Sequence, residues 1–246
     1  MVERRCRSAI LTIIHVAQTG STNADMLDLA RNGAVTEGDW LHADQQTSGR
    51  GRLGRDWISP PGNVHASSLV TLRAGDPAAP TLALVAALAV FDTLKLWAPA
   101  QPLVIKWPND LLVDGAKISG ILLESIGSAI VVGVGINLVP LAADPGRPAT
   151  SLATLGIAPP DAATMVAALA EILADWLARW RGEGLAAIRA VWLARAHPTG
   201  TALSATTADG DRVEGLFDGL TDGCALRLRL ADGATRVIHA GDVFLI

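Results

Sequence analysis

The sequence predicts an α+β fold in which helices pack on a mixed β-sheet and a small β-barrel follows. Through the first 140 positions, short runs rich in Val, Ile and Leu alternate with turn residues, as expected for strands. Two stretches, 161–180 and 184–195, place Leu, Ile and Trp at helical spacing. After Pro198 the chain changes to short alternating runs broken by Asp-Gly pairs, which is typical of small antiparallel sheets.

Local sequence features predict where each helix and strand lies. Alternation of apolar and polar residues near 9–17 indicates a strand, and Ser21 or Thr22 is a natural N-cap for a helix at 24–30 that ends at Asn32-Gly33. Asp114-Gly115 predicts a hairpin turn. The remaining predicted elements are strands at 40–46, 65–72, 103–107, 111–113, 116–125 and 129–138 and a helix at 80–97.

Length and composition set the class of protein. The 246 residues suffice for a large domain, predicted at 1–198, and a small one at 199–246. Half of the residues are hydrophobic and 18% are charged, which excludes a disordered, collagenous or coiled-coil chain. A net charge of -4 provides no overall positive field for nonspecific nucleic-acid binding.

The sequence favours a cytoplasmic location with no membrane anchor. Cys6 and Cys224 match no metal-ligand spacing and fit a reducing compartment. The longest apolar run, 81–91, is shorter than the roughly 20 residues that a membrane helix needs. Three arginines before the apolar run at 9–17 resemble a signal peptide, but His15 interrupts the run and no cleavage pattern follows.

The glycine- and arginine-rich segment 49–55, GRGRLGR, is the strongest chemical signal. Its glycines let backbone N–H groups approach a ligand, while Arg50, Arg52 and Arg55 supply fixed positive charge. The segment therefore predicts an anion site, with a solvated basic loop or an RNA-contacting tract as alternatives. It is neither the GxxxxGK[ST] phosphate loop nor a GxGxxG that opens a helix, so it indicates neither nucleoside-triphosphatase nor dinucleotide chemistry. Because the arginines repel one another, we expect the loop 47–56 to be mobile until an anion binds.

A second segment, 106–110, reads KWPND. Asn109 and Asp110 offer oxygen ligands to a hard cation such as Mg²⁺, although Pro-Asn-Asp is also ordinary turn chemistry. Lys117 interrupts an apolar strand and points either to solvent or into a site.

Glycines recur at alternate strand positions in 133–137, GVGIN. Gly133 and Gly135 leave one strand face without side chains, where a flat ligand or another backbone can approach. Ser21-Thr22-Asn23 could hydrogen-bond a polar ligand or serve only to cap a helix. The five histidines show no metal-ligand spacing along the chain.

Together these segments closely resemble biotin protein ligases. The resemblance spans Ser21 to Asn137, and the β-rich tail is similar to the SH3-like C-terminal domain of that family. Residues 140–198 match in general residue pattern but contain no motif of the family. The segments that carry it are STN at 21–23, QQTSGRGRLGRDW at 45–57, SPPGN at 59–63, KWPND at 106–110, KISGILLE at 117–124 and GVGIN at 133–137.

The resemblance implies the biotin/lipoate ligase catalytic fold and an ATP-dependent ligase. Such an enzyme forms biotinyl-5'-AMP from biotin and ATP with Mg²⁺, then transfers biotin to a lysine of a biotin carboxyl carrier domain. Because Ser21 comes early, we expect no N-terminal helix-turn-helix domain and no DNA binding. The oligomeric state is open, with a homodimer as one alternative.

The resemblance also assigns roles to residues of the first reaction. Arg50, Arg52, Lys117 and Asp110 would be catalytic, with Lys117 and Arg52 at the carboxylate and α-phosphate. Arg55 would reach the polyphosphate. The ureido ring of biotin would meet Ser21, Thr22, Asn23 and Gln45.

Other residues would complete the binding site. Trp57 would close the loop over the adenylate, and Asp110 would bind the metal and could also orient the acceptor lysine. The remaining residues implied to bind substrates are Gly49, Gly51, Asn109, Gly120, Gly133, Gly135 and Asn137.

Two alternatives remain. A lipoate or octanoate ligase or transferase has the same catalytic fold, but its sequences lack the GRGRxGRxW loop. A non-catalytic biotin sensor would bind the ligand without transfer, although all the charged residues that the chemistry needs are present.

Overall fold

The computed structural model describes residues 12–141, 146–207 and 210–246. Cys6, residues 9–11 of the first apolar run and Asp209 lie outside the described residues. The helices are α1 Thr22–Arg31, α2 Leu82–Trp97, α3 Ala162–Gly182 and α4 Leu185–Arg195. The strands are β1 Ile13–Thr19, β2 Trp40–Gln46, β3 Val64–Thr71, β4 Leu103–Lys106, β5 Asp110–Val113, β6 Ala116–Ile126, β7 Ala129–Ile136, β8 Ala202–Thr207, β9 Arg212–Leu220, β10 Leu226–Arg229, β11 Thr235–Ile238 and β12 Gly241–Leu245.

The first seven strands form one mixed sheet in the order β1-β2-β3-β7-β6-β5-β4. β1 and β2 are parallel, and every other neighbouring pair is antiparallel. Asp114 (φ 48°) and Gly115 (φ 79°) both adopt positive φ between β5 and β6, as a two-residue type I′ hairpin requires. The predicted mixed sheet and its hairpin turn are confirmed.

Helices cover both faces of this sheet because neighbouring strand residues point to opposite sides. Trp40 belongs to the large core with α2, α3 and α4, while the adjacent Leu41 packs with Met26 of α1. The helical segment 79–97 is long and apolar enough to span a membrane, whereas the apolar run 81–91 considered in the sequence is too short. Most of the apolar residues of this segment are buried inside the protein, because α2 lies at the centre of the core.

The C-terminal strands form a second, five-stranded sheet in the order β11-β10-β9-β8-β12, antiparallel throughout. Its apolar residues continue the large core of the first sheet. Trp107 Nε1 donates to the Cys224 carbonyl (3.1 Å), and Lys106 Nζ donates to the Val243 carbonyl (2.9 Å). β12 is thereby fixed beside the segment that joins β4 to β5.

Candidate active site

A cavity lies where the loop after β2 folds across β6 and β7, and β12 of the second sheet closes its side. Almost all the residues singled out from the sequence line it, although they come from five separate segments. Those predicted residues are Ser21, Thr22, Asn23, Arg50, Gly51, Arg52, Arg55, Trp57, Asn109, Asp110, Lys117, Gly120, Gly133 and Gly135. The exceptions are Gln45, Gly49 and Asn137.

A buried hydrogen-bond network forms one end of the cavity, at the start of α1. Ser67 Oγ donates to Asn23 Oδ1 (2.6 Å) and to Thr22 Oγ1 (2.8 Å). Asn23 Nδ2 donates to Glu124 Oε2 (2.8 Å), which fixes the orientation of its amide. Ser21 is the N-cap residue of α1, but its side chain makes no capping hydrogen bond. The network therefore holds polar groups toward the cavity and does more than begin a helix.

The glutamine of this network is Gln46, which corrects the prediction of Gln45. Gln46 Oε1 accepts from Thr22 N (2.9 Å) and Oγ1 (3.1 Å), and its Nε2 donates to Ser59 Oγ (2.9 Å). Successive residues of a strand point to opposite faces, so only one of the two adjacent glutamines can face the cavity.

The glycine face predicted on β7 is present and is covered by two side chains. A Cβ at Gly133 would lie 2.1 Å from Asn23 Oδ1, and a Cβ at Gly135 would lie 2.4 Å from the Trp57 ring. At Gly120 it would meet Lys117 Nζ at 2.8 Å and Trp57 at 3.1 Å. The indole therefore lies directly on the glycines, and its buried Nε1 has no hydrogen-bond partner within the described ranges. Because Trp57 fills this space, the cavity encloses only about 60 Å³.

Lys117 lies inside the cavity, so the solvent-facing alternative is wrong. Its ammonium contacts Asp110, whose other oxygen lies 3.1 Å from Lys106 Nζ. Burial lowers the pKa of Lys117 to about 8, and the negative charge of Asp110 partly offsets this decrease. Burial on its own raises the pKa of Asp110, but the two ammoniums hold that pKa below its ordinary value.

This pairing does not fit Asp110 as a direct ligand of Mg²⁺. Each of its oxygens faces an ammonium group, and these two positive charges repel a further cation. Asp242, the other carboxylate lining the cavity among the described residues, is bound to arginines. The metal role of Asp110 stays a prediction, and its two ammonium partners argue against it.

The arginine loop folds on itself. Gly51 N donates to the Arg55 carbonyl (2.7 Å), and Trp57 N donates to the Gly49 carbonyl (2.9 Å). A Cβ at Gly49 would lie 2.5 Å from both the Trp57 carbonyl and Ser59 Oγ. Gly49 therefore permits this close packing, and its contact with substrate stays a prediction.

Asp242 of β12 supplies the counter-charge of the loop. Its carboxylate contacts Arg55 and lies 3.9 Å from Arg52 Nη1. Arg52 Nη1 also donates to the Gly241 carbonyl (3.1 Å). Burial lowers the pKa of Arg52, and the charge of Asp242 opposes this effect. The repulsion expected from the sequence is thus balanced by the second sheet, and the mobility of the loop stays a prediction.

An adjoining cavity of about 470 Å³ shares Arg55, Trp57 and Lys117 with the first. Asn137 lines this second cavity, and its Nδ2 donates to the carbonyls of Thr150 (3.0 Å) and Lys117 (3.4 Å). The amide of Asn137 therefore fixes the backbone beside Lys117, and its contact with substrate stays a prediction.

Sequence reasoning missed several residues that line the first cavity or hold its walls. Ser67 could have been suspected as a small polar residue inside an apolar strand. Gln46 and Lys106 lie inside the segments 45–57 and 106–110 that carry the resemblance, whereas nothing in the local sequence marks Arg147, Asp242 or Phe244. The missed residues are Gln46, Ser67, Lys106, Arg147, Asp242 and Phe244.

The sequence profile of the biotin/lipoate A/B protein ligase family matches residues 16–139, and that of the biotin protein ligase C terminal domain matches 204–246. The chain belongs to the biotin/lipoate A/B protein ligase family. A Biotin--[acetyl-CoA-carboxylase] ligase of Paracoccus denitrificans is 39% identical over 93% of this chain and 98% of its own length. A Mycobacterium tuberculosis protein of the same name is 36% identical over 93% and 86% of the two chains.

Solved structures confirm the fold of this ligase-family chain. A biotin protein ligase from Aquifex aeolicus, in complex with biotin and ATP, superposes with a TM-score of 0.84 at 23% identity. The match covers 96% of this chain and 99% of the other. The match includes both sheets. The large mixed sheet and the small C-terminal sheet therefore occur together in that structure as they do here.

Proposed function

We propose that this protein is a biotin protein ligase that activates biotin with ATP and transfers it to a carrier lysine. The observation that carries the proposal is the convergence of Arg52 and Lys117 on one cavity whose floor is the glycine face of β7. The match to a biotin protein ligase C-terminal domain favours biotin over lipoate.

The first reaction joins two anions. The biotin carboxylate attacks the α-phosphorus of ATP, a phosphorus–oxygen bond forms, and the bond to the leaving pyrophosphate breaks. Lys117 and Arg52 are placed to neutralise the carboxylate and α-phosphate as charge concentrates between them, in a site shielded from bulk water. Arg55 and Arg147 line both cavities, where they would bind the polyphosphate.

The second reaction transfers the acyl group. The neutral amine of the carrier lysine attacks the acyl carbonyl of biotinyl-5'-AMP, an amide forms, and AMP leaves. The attacking amine releases its proton to solvent, and Asp110, which lines the cavity, would help to orient that amine. The acceptor is a biotin carboxyl carrier domain, in keeping with the acetyl-CoA carboxylase named in the relatives.

Recognition of biotin would come from the network at the start of α1. Thr22, Asn23 and Gln46 present amide and hydroxyl groups that match the donors and acceptors of a ureido ring. A site of this kind discriminates strongly, because a ligand without those groups leaves buried partners unpaired. The thiophene ring would lie on Gly133 and Gly135. Trp57 now lies on Gly135, so we expect Trp57 to shift as biotin enters.

Mg²⁺ would enter with ATP and be held chiefly by phosphate oxygens and water, as is usual for this ion. The adjoining cavity, with Trp57 and Phe244 in its walls, offers space for the nucleotide. No step of the mechanism requires a protein carboxylate on the metal.

The test measures biotin transfer to a carrier domain with MgATP, comparing wild type with Lys117→Ala and Arg52→Ala. Loss of one such charge should reduce the rate about 100- to 1,000-fold, by analogy with loss of one oxyanion donor. Lys95→Ala and Arg31→Ala serve as matched controls, since Lys95 donates to the carbonyls of Pro99 and Gln101 just after α2 and Arg31 pairs with Asp28 on α1. Equal rates in all five proteins would refute the mechanism.

Exchange of labelled pyrophosphate into ATP separates this function from the two alternatives. Exchange that requires biotin and ignores lipoate supports biotin activation. Dependence on lipoate would establish the lipoate alternative, and tight biotin binding with no exchange would indicate a sensor.

A further inference from the structure

β1 and β2 bring together three potential metal ligands that are remote in sequence. His15 lies directly opposite His42 in the parallel register of the two strands, and Asp44 follows two residues later on the same face as His42. One ligand atom from each residue lies within 4.8 Å of the others. The 27-residue separation of the histidines explains why spacing along the chain does not reveal this cluster.

We propose that His15, His42 and Asp44 form a binding site for a divalent transition-metal ion such as Zn²⁺. Two imidazoles and a carboxylate are a ligand set that this class of ion accepts, with water completing the coordination. Alternate positions on one strand and the facing position on its neighbour give three side chains that project from one sheet face. The site is separate from the cavity described above, because none of the three residues lines it.

The surroundings of His42 support the proposal. Its side chain is buried, with 2% of its surface exposed, and its Nε2 has no hydrogen-bond partner within the residues that the structure describes. A buried polar atom is ordinarily satisfied, and a bound ion coordinated by this nitrogen would provide that partner. The carboxylate of Asp161, at the N-cap of α3, is close enough to interact electrostatically with His42 and adds negative charge that favours a cation.

The other two ligands are free to adjust. His15 Nε2 and Asp44 Oδ1 lie 2.8 Å apart, and their side chains are 55% and 49% exposed. Zinc bonds of about 2.0–2.1 Å place tetrahedral ligand atoms about 3.3 Å apart. Rotation of these two exposed side chains toward the fixed His42 would close the remaining distance.

A bound ion would fasten β1 to β2. Among the strands of the described residues, β1 is an edge of its sheet and pairs only with β2. The same two strands lead directly into the start of α1 and the arginine loop. The ion would therefore stabilise the strand pair that carries these two segments.

The experiment titrates Zn²⁺ into the full chain by calorimetry, after removal of any histidine tag. A Cys6→Ser background removes a thiol that could bind the same ions. We expect saturable 1:1 binding that raises Tm by a few degrees. Co²⁺ in place of Zn²⁺ should give the visible absorption of a four-coordinate site.

His15→Ala and Asp44→Asn should each weaken binding by about tenfold or more and remove the Tm increase. Both residues are on the surface, so these variants should fold. His239→Ala, at an exposed histidine of the second sheet, is the matched control and should bind like the parent. Absence of 1:1 binding, equal affinity in His15→Ala, or loss of binding in His239→Ala would each overturn the proposal.

Discussion

The contact between Asp242 and the arginine loop predicts a specific kinetic effect. Replacing Asp242 by Asn keeps the shape of the side chain but removes the charge that faces Arg52 and Arg55. Without it the two guanidiniums repel, and the loop should spend less time in the closed arrangement. Because bound phosphates neutralise the same arginines, we expect KM for ATP to rise while kcat changes less.

The size of the effect follows from the geometry. Two unit charges at the 3.9 Å that separate Arg52 from Asp242 attract by about 4 kcal/mol at an effective dielectric constant of about 20. The Arg55 side chain is 39% exposed, so its pair with Asp242 is strongly screened. Solvent screening and the ordering of the side chains reduce this attraction to a net stabilisation of the closed loop of about 1–2 kcal/mol. Its loss corresponds to roughly a 5- to 30-fold increase in KM.

The assay is biotin-dependent exchange of pyrophosphate into ATP, with ATP varied at saturating biotin. Asp222→Asn is the control, because Asp222 also pairs with an arginine but has a fully exposed side chain. Its KM should match wild type, and thermal denaturation should show that both variants fold. A KM that falls in Asp242→Asn would mean that the carboxylate competes with substrate, and the reasoning would be refuted.

Four further predictions follow from the site and the core. For biotin, kcat/KM should fall as pH rises through about 8, because this ratio reports the free enzyme and Lys117 loses its charge there. Biotin should change tryptophan fluorescence in wild type and much less in Trp57→Phe, since Trp57 lies on the glycine face. Gly135→Ala should weaken biotin binding at least about tenfold, because the added carbon would occupy the glycine face on which the thiophene ring is proposed to lie. Arg181→Ala should lower stability by about 2–3 kcal/mol, and Tm by roughly 4–12 °C, because it leaves Glu37 without its bidentate partner (2.8 and 2.9 Å).

Each of these has a control and a contrary outcome. Lys117→Arg should lack the alkaline decrease, and a wild-type profile that is flat to pH 9.5 would contradict the role of the ammonium. An unchanged fluorescence response in Trp57→Phe would assign the signal to another tryptophan. Gly182→Ala, at the end of α3 with open space around it, tests general damage from glycine replacement. Arg181→Ala should keep wild-type KM values, because Arg181 does not line the cavity, and a raised KM would contradict this separation.

The sequence predicted the architecture well where local chemistry decides it. The strand predicted at 40–46 has the observed bounds, and the Asp114-Gly115 turn forms as expected. The first helix begins two residues before the predicted start because Thr22 is already helical, with Ser21 as its N-cap. Capping residues were correctly recognised, but the residue at which the backbone becomes helical depends on contacts that a local pattern does not contain.

The site was predictable only where a motif marks it. Adjacent Gln45 and Gln46 are chemically identical, so the choice between them depends on how β2 ends beside α1. Asp242 lies 187 residues beyond Arg55 in an unremarkable alternating strand, and only the packing of one sheet on the other brings the two together. Asn137 was identified, but its hydrogen bonds to two carbonyls could not be read from its position in a glycine-rich strand.

The lysines of this chain have a consequence for the proposed chemistry. An acyl adenylate acylates amines indiscriminately once it meets them in solution, and an enzyme that makes one is exposed to its own product. This chain has three lysines: Lys106 and Lys117 face Asp110, and Lys95 donates to two carbonyls at the end of α2. The other permanently cationic side chains are arginines, so few side-chain amines of this protein are available for acylation by its own intermediate. An intermediate that escapes would therefore react with amines of other molecules.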